Sequence, residues 1–186
     1  MGPMCAAAQC RSLGALHGYQ DRHEMNRKRL PNLAGVPWIT ARGTLDPAKF
    51  PIEAPIRQCL DPASEEFRHG CRFLGSMASQ GRVDAGIFLL GLLRYYQDDL
   101  AVVTTVVEGL REFHDARCAD ALVGELRRVP SSNRTRAYLN TVIRTLTGLP
   151  AELVQDRLWQ LAEDSSFSYR MRAKFAAAAE DVTSHE

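Results

Sequence analysis

The feature that most constrains this chain is a recurrence of helix and turn punctuation at intervals in the low thirties. Asp99 and Asn133 stand at the openings of corresponding helical segments, Arg111 matches Arg144, Phe113 matches Leu146, and Leu126 matches Leu158. Such a period, built from helix, short turn and helix, signifies a solenoid, because one helix pair cannot cover its own apolar face and needs neighbours.

The segments can be read one by one from about residue 61. Asp61-Pro62 is an N-cap followed by proline at the first helical position, with Glu65 and Glu66 in the favourable first turn. The helix it opens carries Phe67, Cys71, Leu74, Met77 and Ala78 on one face and stops at Ser79-Gln80-Gly81, where glycine can take the left-handed cap. A second helix over about 82–97 is apolar nearly all round, which predicts cover on more than one side and close approach at Gly86 and Gly91. The third, Asp99 to Phe113, sets Leu100, Val103, Val107 and Leu110 in one stripe. After a turn at His114-Asp115, the fourth repeats the pattern with Ala119, Leu122, Val123 and Leu126. Beyond Pro130-Ser131-Ser132-Asn133, the fifth has Tyr138, Leu139, Val142, Ile143 and Leu146 and ends at Gly148. Pro150 opens the sixth, and Asp164-Ser165-Ser166 separates it from a seventh bearing Met171, Phe175, Ala178 and Ala179. No strand or hairpin signal appears.

Residues 1–60 differ in character. They hold Pro3, Pro31, Pro37, Pro47, Pro51 and Pro55 and a basic run Arg27-Lys28-Arg29, without sustained periodicity. This predicts an irregular arm, with Leu33, Val36, Trp38, Ile39, Phe50 and Ile52 available to pin it and Met25 as an alternative start. Asp46-Pro47 can cap a helical turn that Pro51 and Pro55 should end.

The run from Asp98 to Val129, DDLAVVTTVVEGLREFHDARCADALVGELRRV, resembles one bacterial HEAT repeat, with an Asp-opened first helix, an Asp turn, and a second helix patterned Ala-x-x-x-Leu-x-x-x-Leu. SYRMRAKFAAA, from Ser168 to Ala178, resembles the opening of a further repeat. The pair at 64–97 departs from the pattern, carrying glycines where the family has an acidic turn. The resemblance implies an all-α fold, an α-solenoid of about three and a half HEAT-like helix pairs over 61–186, preceded by the Pro-rich arm of 1–60. It also implies a curved stack used mainly for holding partner proteins. Two other functions occur within HEAT-like folds. For bilin lyase subunits, no residue here is assignable to chromophore handling; for HEAT-like DNA glycosylases, Trp159 and Glu163 lie one turn apart on a helix.

Chemistry is otherwise sparse. Lys+Arg 23 against Asp+Glu 22 leaves a net charge of +1, so any nucleic-acid or anionic-membrane binding must come from a local patch. Only Lys28, Lys49 and Lys174 are lysine; the other basic residues are arginines, whose rigid fork suits carboxylate or phosphate. Cys5, Cys10, Cys59, Cys71 and Cys118 form no CxxC, so neither a disulfide framework nor a zinc site is implied and a reducing cytoplasm is expected. The most apolar stretch, Ala85 to Leu93, is under half the roughly 20 residues a membrane span needs. The histidines at 17, 23, 69, 114 and 185 lack metal-ligand spacing, and His114-Asp115 reads as turn chemistry. No P-loop, GxGxxG or GxSxG is present, so no cofactor, metal or catalytic residue is expected.

The candidate contact site is basic. Arg127, Arg128, Arg134, Arg136 and Arg144 gather around one connection between repeats, with Arg170, Arg172 and Lys174 as an extension if the next repeat lies alongside. The expectation is a non-enzymatic scaffold or adaptor that binds a protein partner, with nucleic-acid binding as the alternative and no membrane role.

Overall fold

A computed structural model describes residues 36–183 in two units, Met1–Leu45 and Asp46–Glu186. The basic run Arg27-Lys28-Arg29, Leu33, Met25, Cys5, Cys10, His17, His23 and His185 lie outside the described residues. In the first unit the described stretch is a tight reversal. Ile39 bridges Leu45, the Thr40 and Thr44 hydroxyls are 2.7 Å apart, and Gly43 supplies the positive φ of 76°.

The second unit is all-helical among the described residues. The eight α-helices described there are α1 (Glu53–Gln58), α2 (Phe67–Ser79), α3 (Val83–Tyr95), α4 (Leu100–Gly109), α5 (Ala116–Arg128), α6 (Arg136–Leu146), α7 (Ala151–Glu163) and α8 (Tyr169–Thr183). Short 3-10 turns cover Pro47–Lys49 and, directly after α4, Leu110–Glu112. No described helix is long and apolar enough to cross a membrane.

Local chemistry accounts for most boundaries. The Asp99 carboxylate accepts from the Ala101 and Val102 amides, and Asp115 accepts from Arg117, so both helices start on side-chain caps. Gly81, at φ 94°, turns the chain from α2 into α3. Asp61 accepts from the Ala63 amide as expected, yet residues 61–66 form turns and the continuous helix begins at Phe67.

Helix α1 lies where the sequence pattern predicts an irregular arm. Pro55 is only its third residue, within the first turn, where a backbone N–H has no intrahelical partner and its loss costs little. Helical packing therefore begins ahead of residue 61, with α1 against α2. Arg82 anchors the preceding turn: its Nη1 donates to the carbonyls of Pro47, Ala48 and Phe50 at 2.9, 3.0 and 2.8 Å, while Nε and Nη2 grip Asp84.

Five pairs of sequence neighbours pack together, α1 with α2, α2 with α3, α3 with α4, α5 with α6 and α7 with α8, and so do helices two apart. α2 touches α3 and α4, α4 touches α6, and α5 touches both α6 and α7, which in turn lies along α8. Side-chain bonds repeat this relation: Arg68 to Glu108 joins α2 to α4, Arg157 to Asp120 joins α7 to α5, and Lys174 to Asn140 joins α8 to α6. One continuous core results, including Leu74, Leu89, Val106, Leu122, Leu146, Leu158 and Phe175. Each such side chain contributes roughly 1.5–3 kcal/mol through removal from water.

Helix α3 corrects one expectation. Ala85, Leu89, Leu92 and Leu93 are buried, but Ile87 is 45% exposed and Tyr95 78%. Helices α2 and α4 and the second 3-10 turn pack against it and leave the Ile87 and Tyr95 positions open. Gly86 does permit close approach, since a Cβ there would meet the Phe113 ring at 2.6 Å; Gly91 has nothing within 4 Å.

Candidate functional site

Two glycines make a close helix crossing in the described fold. A Cβ on Gly75 would lie 1.9 Å from the Gly109 carbonyl oxygen, and one on Gly109 would lie 2.8 Å from that of Cys71. Backbone thus meets backbone where α2 crosses α4, and longer side chains flanking the crossing must splay away from it. Arg68, Arg72 and Ser76 follow one stripe of α2 at i, i+4 and i+8. Glu108, Arg111 and Glu112 face them from the end of α4 and its 3-10 extension, and Arg144 joins from α6. Together they enclose a cleft of about 330 Å³ with Gly109 among its walls.

The charges in this cleft are unevenly satisfied. Arg68 Nη2 donates to Glu108 Oε2 at 2.7 Å, and Glu112 Oε2 accepts only a long 3.4 Å bond from the Ser79 hydroxyl. Arg72, Arg111 and Arg144 make no side-chain hydrogen bond or ion pair among the described residues. Three exposed guanidinium forks therefore line one polar cleft without a carboxylate to hold them.

The depression continues on both sides. Arg72 also borders a wider, more apolar hollow of about 800 Å³ between α1 and α2, lined by Phe50, Pro51, Pro55 and Phe73. Arg144 borders a third of about 490 Å³ between α6 and α8, with Asn140, Lys174 and Asp181. Lys174 and Asn140 lead into a fourth of about 220 Å³, which Arg136 and Arg170 also line and in which none of the lining residues is acidic. Shared residues make these four hollows contiguous across α1, α2, α4, α6 and α8.

The five arginines singled out from the sequence are divided by this arrangement. Arg144 lies in the central cleft and Arg136 in the fourth hollow, where it also donates to Asn133 at 2.6 Å. Arg134 is exposed and unpaired among the described residues. Arg127 approaches Asp164 at 3.8 Å. Arg128 is already engaged, with bonds of 3.0 and 2.6 Å to Glu125, a residue only 7% exposed whose carboxylate also accepts from the Tyr138 hydroxyl at 2.5 Å. Burial and then that bond push the Tyr138 phenol well above its ordinary range, while the Glu125 bond raises Arg128. Arg170 and Lys174 do lie alongside Arg136, whereas the Arg172 Nε is buried without a hydrogen-bond partner.

Arg68, Arg72, Glu108 and Glu112 join the site only in three dimensions. Their sequence signal is confined to the α2 stripe and the register that equates Arg111 with Arg144. Trp159 and Glu163 sit on α7 and line none of the four hollows. Asp115 serves as the α5 cap and is gripped by Arg117 at 2.8 and 2.7 Å, which with the Arg117 amide holds its carboxyl down at about 2. No group of three His, Cys, Asp or Glu residues able to hold a metal ion exists among the described residues. No protein-family model, curated protein or solved structure matches this chain.

Proposed function

We propose that the helical unit is a HEAT-like α-solenoid acting as a non-enzymatic scaffold, which holds a protein partner along the groove crossing α2, α4, α6 and α8. The solenoid reading is supported by the packing of helices two apart and by the side-chain bonds between them, which span 33 to 40 residues, close to the repeat seen in the sequence. The single observation that carries the function is the contiguity of the four hollows, joined by Arg72, Arg144 and Lys174. An extended surface made by corresponding helices suits an elongated macromolecular ligand better than a small substrate.

Lysine footprinting tests this, because Lys174 lies in the groove and Lys49 lies on the 3-10 turn before α1. The tagged chain is incubated with extract of its native cell, acylated, and digested for mass spectrometry. Lys174 should lose most of its reactivity in the captured complex while Lys49 keeps its own. Equal reactivity of Lys174 with and without the captured protein would remove the groove from the proposal. Nucleic acid is the second reading, favoured by the fourth hollow, where Arg136, Arg170 and Lys174 meet with no acid in its lining. Duplex binding that falls steeply with salt would support it.

A further inference from the structure

We infer that Arg72, Arg111 and Arg144 form a carboxylate-binding site that takes glutamate or aspartate side chains from an acidic segment of the partner protein. This rests on the scaffold reading and adds the chemistry of what the central cleft recognises.

Three features lead there. The guanidiniums of Arg72, Arg111 and Arg144 come from α2, from the 3-10 turn after α4 and from α6, line one cleft and have no partner among the described residues. A guanidinium binds a carboxylate through two parallel N–H bonds, so unfilled forks converging on one cleft are suited to planar anions. The framework is also held in place beforehand. The Gly75–Gly109 crossing and the 2.7 Å Arg68–Glu108 bond tie α2 to α4, so little ordering of the backbone is needed on binding.

Glu108 and Glu112 decide between anions. A phosphodiester backbone, the part of a nucleic acid that guanidiniums grip, brings acceptors and negative charge only, and that charge lies along its whole length beside both glutamates. A polypeptide brings carboxylates for the arginines and backbone N–H groups for Glu112, whose Oε2 has only the 3.4 Å Ser79 contact. The polypeptide backbone thus supplies a donor for Glu112 that the phosphodiester backbone lacks. The apolar hollow beyond Arg72, with Phe50 and Phe73, offers room for an uncharged side chain next to the acidic one.

The test uses fluorescence anisotropy on the full chain at low salt with three labelled probes: a short peptide alternating glutamate and glycine, its glutamine–glycine counterpart, and an oligothymidylate of equal charge. The glutamate peptide should bind and the glutamine peptide should not. Arg111→Gln together with Arg144→Gln should weaken binding by about tenfold or more, since two charge-assisted contacts are removed. Arg111→Lys with Arg144→Lys, which keeps the charge but loses the fork, should give a smaller loss. Arg127→Gln with Arg134→Gln, outside the cleft, should leave affinity unchanged, and the cleft variants should melt close to the parent because glutamine keeps part of the aliphatic stem and no side-chain hydrogen bond or ion pair of Arg111 or Arg144 is lost. Tighter binding of oligothymidylate than of the glutamate peptide would overturn the inference. So would failure of the glutamate peptide to bind, or binding that the Arg111 and Arg144 changes leave intact. In each of those cases Lys174 protection by a captured protein would still stand, separating this inference from the scaffold reading.

Discussion

Replacing Gly75 with alanine tests the geometry on which the cleft depends. The new Cβ would lie 1.9 Å from the Gly109 carbonyl oxygen, so the two helix backbones must part by about 1.5 Å, the shortfall from the 3.4 Å at which ordinary contact begins. A flexible side chain would swing aside, but a helical carbonyl cannot. Overpacking costs about 1–3 kcal/mol, and a backbone obstacle places Gly75→Ala near about 3. Alanine returns about 1 kcal/mol through its better helix propensity. The net loss is about 2 kcal/mol, or a melting point lowered by roughly 6 °C for a domain of this size. Gly91→Ala is the matched control, because Gly91 is an exposed mid-helix glycine on α3 where an added Cβ would meet nothing within 4 Å. It should gain about 0.5–1 kcal/mol from propensity and reduced unfolded-state freedom. Urea unfolding followed by far-ultraviolet circular dichroism compares the two. Coincident midpoints would refute the close crossing and with it the claim that the cleft is held in place by it.

Buried polar groups and caps give two further outcomes. Tyr138→Phe removes the 2.5 Å bond to the buried Glu125 carboxylate and should cost about 1.5–3 kcal/mol in the same assay, whereas a loss under about 0.5 kcal/mol would show Arg128 alone sufficient. Asp115→Asn keeps a capping group but removes the titration. The Asp115 carboxyl is depressed from 3.8 to about 2 in the fold, so its contribution is complete above 3.8 and is lost as pH falls toward about 2. The stability gap between parent and Asp115→Asn should therefore shrink from about pH 5 to about pH 2.5, and a constant gap would show that the ion pair with Arg117 adds nothing.

What is legible in the sequence depends on range. Asp99 and Asp115 are readable as helix openings because a cap bonds an amide two or three residues on, and Gly81 because a turn needs its positive φ locally. Helix α1 is hidden because a proline pattern points to termination, although Pro55 in a first turn removes no bond. The all-round apolarity of α3 suggests cover on several sides; Ile87 and Tyr95 instead lie exposed, since composition says nothing about how many neighbours arrive. Arg128 belongs by sequence to a surface patch, yet Glu125 three residues earlier on the same helix is a local reason for its guanidinium to be already paired. Register pairs Arg111 with Arg144, and both stand in one cleft. Arg68 and Arg72 cannot be added from sequence, because their meeting with Glu108 and Glu112 depends on how α2 crosses α4.

That dependence links stability to recognition in a way the variants can separate. Substituting the cleft arginines removes chemistry without breaking a hydrogen bond or ion pair, since the Arg72, Arg111 and Arg144 side chains make none among the described residues. Substituting Gly75 leaves every charged group in place and moves the helices that carry them. If recognition needs only net positive charge, Gly75→Ala should bind the glutamate peptide as well as the parent does under conditions where both are folded. If it needs forks set at fixed separations, a parting of about 1.5 Å at the crossing should weaken binding even though no ligand-facing residue has changed. The second outcome follows from the geometry, because bidentate contacts from several helices to one acidic segment tolerate less displacement than diffuse attraction does.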